Sequence, residues 1–203
     1  MKFIKFSEEE GVHLIRAWAA LTFAFAIVLG GGMAGIGSGL GQRMLIAGVT
    51  VGLGFLLHEL GHKIVAQKYG FWAEFRSFVW GLALAVGLSF TGFIFAAPGA
   101  VMISGMISTK ENGIISAVGP AINIVLAILF LVGGIVLSAT GLATPLTSTI
   151  VFFGYSINSW LALFNMIPIF PLDGSKVLAW SVPVWFVLVA ISGAMTFLLP
   201  SFI

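Results

Sequence analysis

The chain contains no cysteine, a single aspartate and only 8% charged residues among its 203. Without cysteine there is no disulfide framework and no thiolate to hold a metal ion. Soluble domains carry roughly 25% charged residues. At 8%, with 60% hydrophobic residues and a mean hydropathy of +1.15, this chain is solvated by lipid. The net charge is only +2 and the bases are scattered, so the pI near 9.2 marks no nucleic-acid footprint. No stretch is polar and long enough to form a soluble globular domain, and residues 1–203 read as a single integral-membrane domain. The amino terminus, Met1–Arg16, is polar, with three glutamates in a row at Glu8, Glu9 and Glu10. It lacks a basic region leading into a cleavable apolar core and reads as a short cytoplasmic segment.

A spanning helix needs about 20 apolar residues. Val12–Leu29, Met44–Val65, Gly113–Leu137, Ser148–Ile169 and Val177–Leu199 meet that requirement. The expected fold is an all-α polytopic membrane protein with five to six transmembrane helices and a re-entrant or β-hairpin-like segment around 78–105. The glycine-rich stretch Gly30–Gly41 superficially matches a nucleotide-binding fingerprint, but no strand precedes it and a membrane helix follows, so it reads as a loop. Gly48 and Gly52 form a Gly-x-x-x-Gly on the second span. That spacing seats one helix closely on another, or is chance in a chain with 26 glycines.

His58-Glu59-Leu60-Gly61-His62 lies in the second span, where ionisable side chains are expensive and mark function by default. Imidazoles at i and i+4 share one helix face and can bind one metal ion, with Glu59 beside them able to act on a metal-bound water. A catalytic zinc site usually takes a third protein ligand. His13 lies among polar residues at the edge of the first span and is assigned no role. Glu74 and Glu111 sit in loops with neighbouring bases. Asp173 follows Pro168 and Pro171, which break the helix end and can turn the carboxylate inward. Taken alone, Asp173 would also serve as a cap for the last span. Beside the histidine pair it is the favoured third ligand.

If Asp173 joins His58 and His62, the segment Phe78–Gly105 must return to its starting side; a single crossing would put the ligands on opposite faces. Loop charges vote the same way. A returning segment puts Lys2, Lys5, Arg16, Lys63, Lys68, Arg76, Lys110 and Lys176 inside and only Arg43 outside. A crossing segment moves Lys110 and Lys176 outside, against the positive-inside rule.

With these residues in place, the chain resembles the site-2 proteases, the intramembrane zinc metalloproteases. The family carries His-Glu-x-x-His in an early helix, here residues 58–62. It carries Asn-x-x-Pro-x-x-Pro-x-Asp-Gly later, here Asn165 to Gly174 with every defined position matched. Between them stands Gly-Pro-x-x-Asn, here Gly119-Pro120-Ala121-Ile122-Asn123. The motifs follow the family's order and span nearly the whole chain. The resemblance implies a β-like segment embedded after the metal helix. Many members also carry a PDZ or CBS domain, for which no stretch here has room.

The chemistry, in agreement with the resemblance, has His58, His62 and Asp173 hold one Zn²⁺ per chain, the metal that best suits two imidazoles and a carboxylate. Glu59 is the general base. Asn165 donates to the tetrahedral oxyanion or holds substrate backbone. Asn123 is a further substrate-binding candidate, against the alternative of a buried interhelical hydrogen bond. The expected activity is zinc endopeptidase cleavage of membrane-protein substrates within or near their transmembrane segments, with lipid and no nucleic acid as the other partners. The amino terminus and the site opening are expected on the cytoplasmic side. The competing function is a membrane metal-ion transporter or a non-proteolytic metal-binding protein. Transporters often show internal repeats, and none is visible.

Overall fold

A computed structural model describes residues 4–198. Lys2, used in the charge count, and Leu199, at the end of the last predicted span, lie outside the described residues. Helix α1 (Glu8–Leu29) starts four residues before the predicted span, because Ser7 accepts a hydrogen bond from the Glu10 amide and three glutamates occupy the positive end of the helix dipole. The stretch after it is a loop with one short 3₁₀ turn at Gly32–Gly35. Gly31, Gly32, Gly37 and Gly39 all take positive φ, which only glycine adopts readily.

The second span runs from α2 (Leu40–Ala47) through a π-helical turn (Gly48–Gly52) into α3 (Leu53–Lys68). Gly48 and Gly52 make room for a tryptophan of α1. The Trp18 indole N–H donates to the Gly48 carbonyl at 3.1 Å, and a Cβ at Gly52 would lie 2.7 Å from that indole nitrogen. The pair thus seats the histidine-bearing helix on α1.

The segment that decides the topology returns. Strands β1 (Trp72–Ser77) and β2 (Gly99–Ser104) pair antiparallel, with Phe75 opposite Val101. Its middle is not a hairpin turn but a helix, α4 (Val79–Ser89), and its first strand begins before the expected residue 78. The excursion runs alongside α1. At its tip Phe90 packs on Phe23 and its carbonyl accepts from the Met33 amide at 2.9 Å, in the glycine loop at the far end of α1. Non-helical backbone at membrane depth must find partners. On β1 they come from α1 and α3: Glu10 accepts from the Phe75 amide at 2.9 Å, His13 from the Ser77 amide at 3.1 Å, and Gln67 donates to the Ala73 carbonyl at 3.1 Å.

Glu10 also pairs with Lys63, and both side chains are fully buried, with the ammonium 3.8 Å from the centre of the Phe6 ring. Lys63 is therefore a buried partner between elements and not the loop cation that its place after the histidines suggests.

Helix α5 (Thr109–Ala139) starts with a capping box between Ser108 and Glu111 and lies centrally, against α3, α6 and α7. A Cβ at Gly61 would strike Ile122 of α5, so the glycine of the histidine motif lets α3 lie close to it. Helix α6 (Pro145–Asn165) stops four residues before the predicted end, and a proline-containing loop leads to α7 (Asp173–Trp180). The last predicted span is divided: α8 (Val182–Phe197) begins after Ser181, whose hydroxyl caps it, with Pro183 in its first turn. Hydropathy runs through that break, but the missing proline N–H does not continue a helix. Four helices, α1, Leu40–Lys68, α5 and α6, are long and apolar enough to cross a membrane. The protein is an all-α polytopic membrane protein with a small two-stranded sheet.

Candidate metal centre

His58 and His62 stand one turn apart on α3 with ring centroids 4.7 Å apart. The inner nitrogen of each ring is taken. His62 Nδ1 lies 2.7 Å from the Ile115 carbonyl, which can only accept, so this nitrogen carries the proton. His58 Nδ1 lies 2.6 Å from Asn123 Oδ1. The outer nitrogens converge on one carboxylate: His58 Nε2 is 3.2 Å and His62 Nε2 3.1 Å from Asp173 Oδ2. Zinc bonded to such atoms at 2.0–2.1 Å has neighbouring ligands about 3.3 Å apart in a tetrahedron. The spacing of Asp173 Oδ2 from each histidine matches that distance, and the three donor atoms all lie within 4.8 Å of one another. All three residues are buried, and together they are the group among the described residues able to hold a metal ion.

Two further observations fit an ion at this point. Asp173 opens α7, yet the helix has no side-chain cap. Its carboxylate goes to the histidines and, at 3.6 Å, to Lys176, so capping does not account for it. Gly119 of α5 faces the same spot: a Cβ there would lie 2.5 Å from both Nε2 atoms. The backbone of α5 leaves room where a side chain would fill the metal position.

Glu59 points from α3 into the same cavity, of about 410 Å³, with Phe55, Phe95, Leu161, Phe164 and Pro171 in its wall. One carboxylate oxygen accepts from the Val101 amide of β2 at 3.1 Å. The other has no donor among the described residues and faces the cavity. Asn165, the last residue of α6, lines the cavity too, with its amide turned back to the Leu161 carbonyl at 2.9 Å. Asn123 is fully buried behind His58. Its nitrogen donates to the Gly54 carbonyl and to Asn158, and its oxygen faces His58. Asn123 thus makes the buried interhelical hydrogen bonds that are the alternative to substrate binding, and it also stands in the cavity wall. His13 lies apart, against Ser77. The contributions of Val101, Ile115 and Asn158 carry no signal in sequence: two are backbone groups of apolar residues, and the third is one uncharged amide in a helix.

Fold and site together define a helical membrane protein with a buried His-His-Asp group able to hold a metal ion and an adjacent carboxylate. The chain is 37% identical over 187 residues to a curated protein of Methanocaldococcus jannaschii named "Putative zinc metalloprotease", an alignment covering 91% of each. It belongs to the same family as that protein. No family model matches the chain, and no solved structure gives a significant match.

Proposed function

We propose that the protein is an intramembrane zinc endopeptidase of the site-2 protease type, hydrolysing peptide bonds within or near transmembrane segments of membrane proteins. The observation that carries this reading is the convergence of His58, His62 and Asp173 beside the free oxygen of Glu59, at the wall of a cavity embedded among spanning helices. Zinc bound there would polarise a peptide carbonyl and lower the pKa of water from 15.7 to about 7. Glu59 takes the proton from the attacking water and passes it to the leaving amine. Asn165 swings its amide from Leu161 towards the developing oxyanion, where one donor is worth about 2.7–4 kcal/mol.

The substrate meets these groups as an extended strand, since a helical peptide hides its carbonyls. Pairing in the sheet alternates, so Gly99, Val101 and Ile103 turn their amides and carbonyls away from β1. The outer edge of β1 is already covered by Glu10, His13 and Gln67. The outer edge of β2 lies against the cavity and is the one a peptide strand joins. The amino terminus and the opening of the site face the cytoplasm in this proposal, supported by the bases Lys5, Lys68, Arg76, Lys110 and Lys176 on that side of the chain.

The test is reconstitution with a single-span substrate. Wild type should cleave it and lose activity to a chelator. Glu59→Gln should keep its zinc and lose about 10²–10⁴-fold in turnover. Zinc binding with no Glu59-dependent cleavage across a broad substrate panel would leave the transporter reading standing in its place.

A further inference from the structure

We infer that Asn158 of α6, which bonds to none of the metal ligands, is a positioning residue for the metal centre: through Asn123 it fixes which nitrogen of His58 faces the ion. The inference rests on His58 being a metal ligand and not on proteolysis.

Imidazole presents Nε2 to a metal as a lone pair only when its proton sits on Nδ1. The Ile115 carbonyl settles this for His62. His58 has an amide as partner, and an amide turned one way accepts and turned the other donates. The choice is made deeper in the protein. The Gly154 carbonyl can only accept, and the Asn158 amide nitrogen donates to it at 2.8 Å. That turns Asn158 Oδ1 towards α5, where it accepts from Asn123 Nδ2 at 2.9 Å. The second hydrogen of that nitrogen goes to the Gly54 carbonyl at 3.2 Å, the longer of the two bonds. With both hydrogens committed to acceptors, the oxygen of Asn123 is the end left for His58. It accepts, so His58 Nδ1 holds the proton and the Nε2 lone pair is left for an ion held between it and the Asp173 carboxylate.

The two hydrogens of the Asn123 nitrogen each have an acceptor, and the relay ends on a backbone carbonyl that cannot reverse. Asn123 and Asn158 are both fully buried, where a hydrogen bond is stronger and an unpaired group costs more than in water. Gly54 serves the relay twice. Its carbonyl takes Asn123, and its missing side chain leaves the place where Asn158 Oδ1 sits, which a Cβ would strike.

The experiment measures zinc affinity by chelator competition on the full chain in detergent, together with the visible absorption of the cobalt(II)-loaded protein. Asn158→Leu keeps the volume and removes both ends of the relay. Its zinc affinity should fall about tenfold or more, in the range that partners behind a metal ligand usually contribute, with a shifted cobalt spectrum. Asn123→Leu should lose at least as much, and the double substitution no more than Asn123→Leu alone, because the two act in series. Gly54→Ala removes no hydrogen-bonding group but displaces the Asn158 amide. It should weaken zinc in the same direction and gives the answer if Asn158→Leu does not fold. Zinc affinity within twofold of wild type in both Asn158→Leu and Gly54→Ala, or additive losses in the double variant, would overturn the inference. A wild-type chain that fails to bind zinc would instead sink the metal centre itself.

Discussion

The two halves of the molecule satisfy buried polar groups in opposite ways. Around α3, α5 and α6 the helices satisfy their own backbones, and Asn158, Asn123 and His58 form one line of side chains anchored on spare helix carbonyls. Around α1, β1, α4 and β2 the backbone is not self-sufficient, and side chains are spent on it. Glu10, His13 and Gln67 close one edge of the sheet, and Glu59 alone meets the other. The metal half is built to hold three atoms still. The re-entrant half is closed on the side away from the metal and open towards it, as a surface that receives an extended chain must be.

The largest effect should come from the re-entrant half. Glu10 joins three things: the Lys63 ammonium, the Phe75 amide and the N-terminal turn of α1. Glu10→Ala leaves a fully buried cation without an acid and a strand amide without an acceptor. Breaking a buried pair from one side costs about 3–5 kcal/mol. The thermal unfolding midpoint in detergent should fall steeply, and Lys63→Met added to Glu10→Ala should recover much of it. A loss under about 1 kcal/mol, on the scale of an exposed pair, would mean that the strand edge is held by something else.

How much of this is legible in sequence follows the same division. His58, His62 and Asp173 stand out because a charge in lipid needs a reason, and the return of residues 72–104 follows from requiring those ligands to meet. The helical middle of that segment is not legible, since apolar residues in lipid carry no period; the early start of its first strand is written only in the short alternation of Ala73 and Phe75 with Glu74 and Arg76. The division of the last span at Ser181 is written only in Pro183, because hydropathy is blind to a missing N–H. Lys63 misleads for a physical reason: its buried partner, Glu10, lies 53 residues away. Asn158 looks like any polar residue in a spanning helix until Asn123 and Gly154 are placed around it.

In the metal half, the test is of space. Gly119→Ala improves helix propensity by roughly 0.5–1 kcal/mol, a gain set against the space the new methyl takes. The added methyl, however, meets both Nε2 atoms. Zinc affinity should drop about 10–100-fold, on the scale of other changes close behind metal ligands, while the apo protein, whose two buried imidazoles must also shift, unfolds earlier than wild type. Unaltered affinity would show that the ion sits away from α5, and that the closeness of Gly119 serves only helix packing.

The smallest effect comes where the two halves touch. The Val101 amide is the one protein donor to Glu59, and it points away from β1, opposite Phe75, whose amide points outward to Glu10. Val101→Pro therefore removes that donor without removing a ladder bond, on an outer edge where proline is tolerated. A hydrogen bond to a charged group contributes about 1.5–3 kcal/mol, so turnover should fall roughly tenfold or somewhat more with zinc content unchanged. The same amide is also placed to pair with a substrate strand, and the two roles separate kinetically. If Val101 only orients Glu59, kcat falls and KM stays. If it also holds the substrate backbone, KM rises as well, and most for substrates that must unwind to bind. A variant with wild-type kcat and KM would show that Glu59 needs no partner from β2, and that the two halves share a cavity without sharing the chemistry.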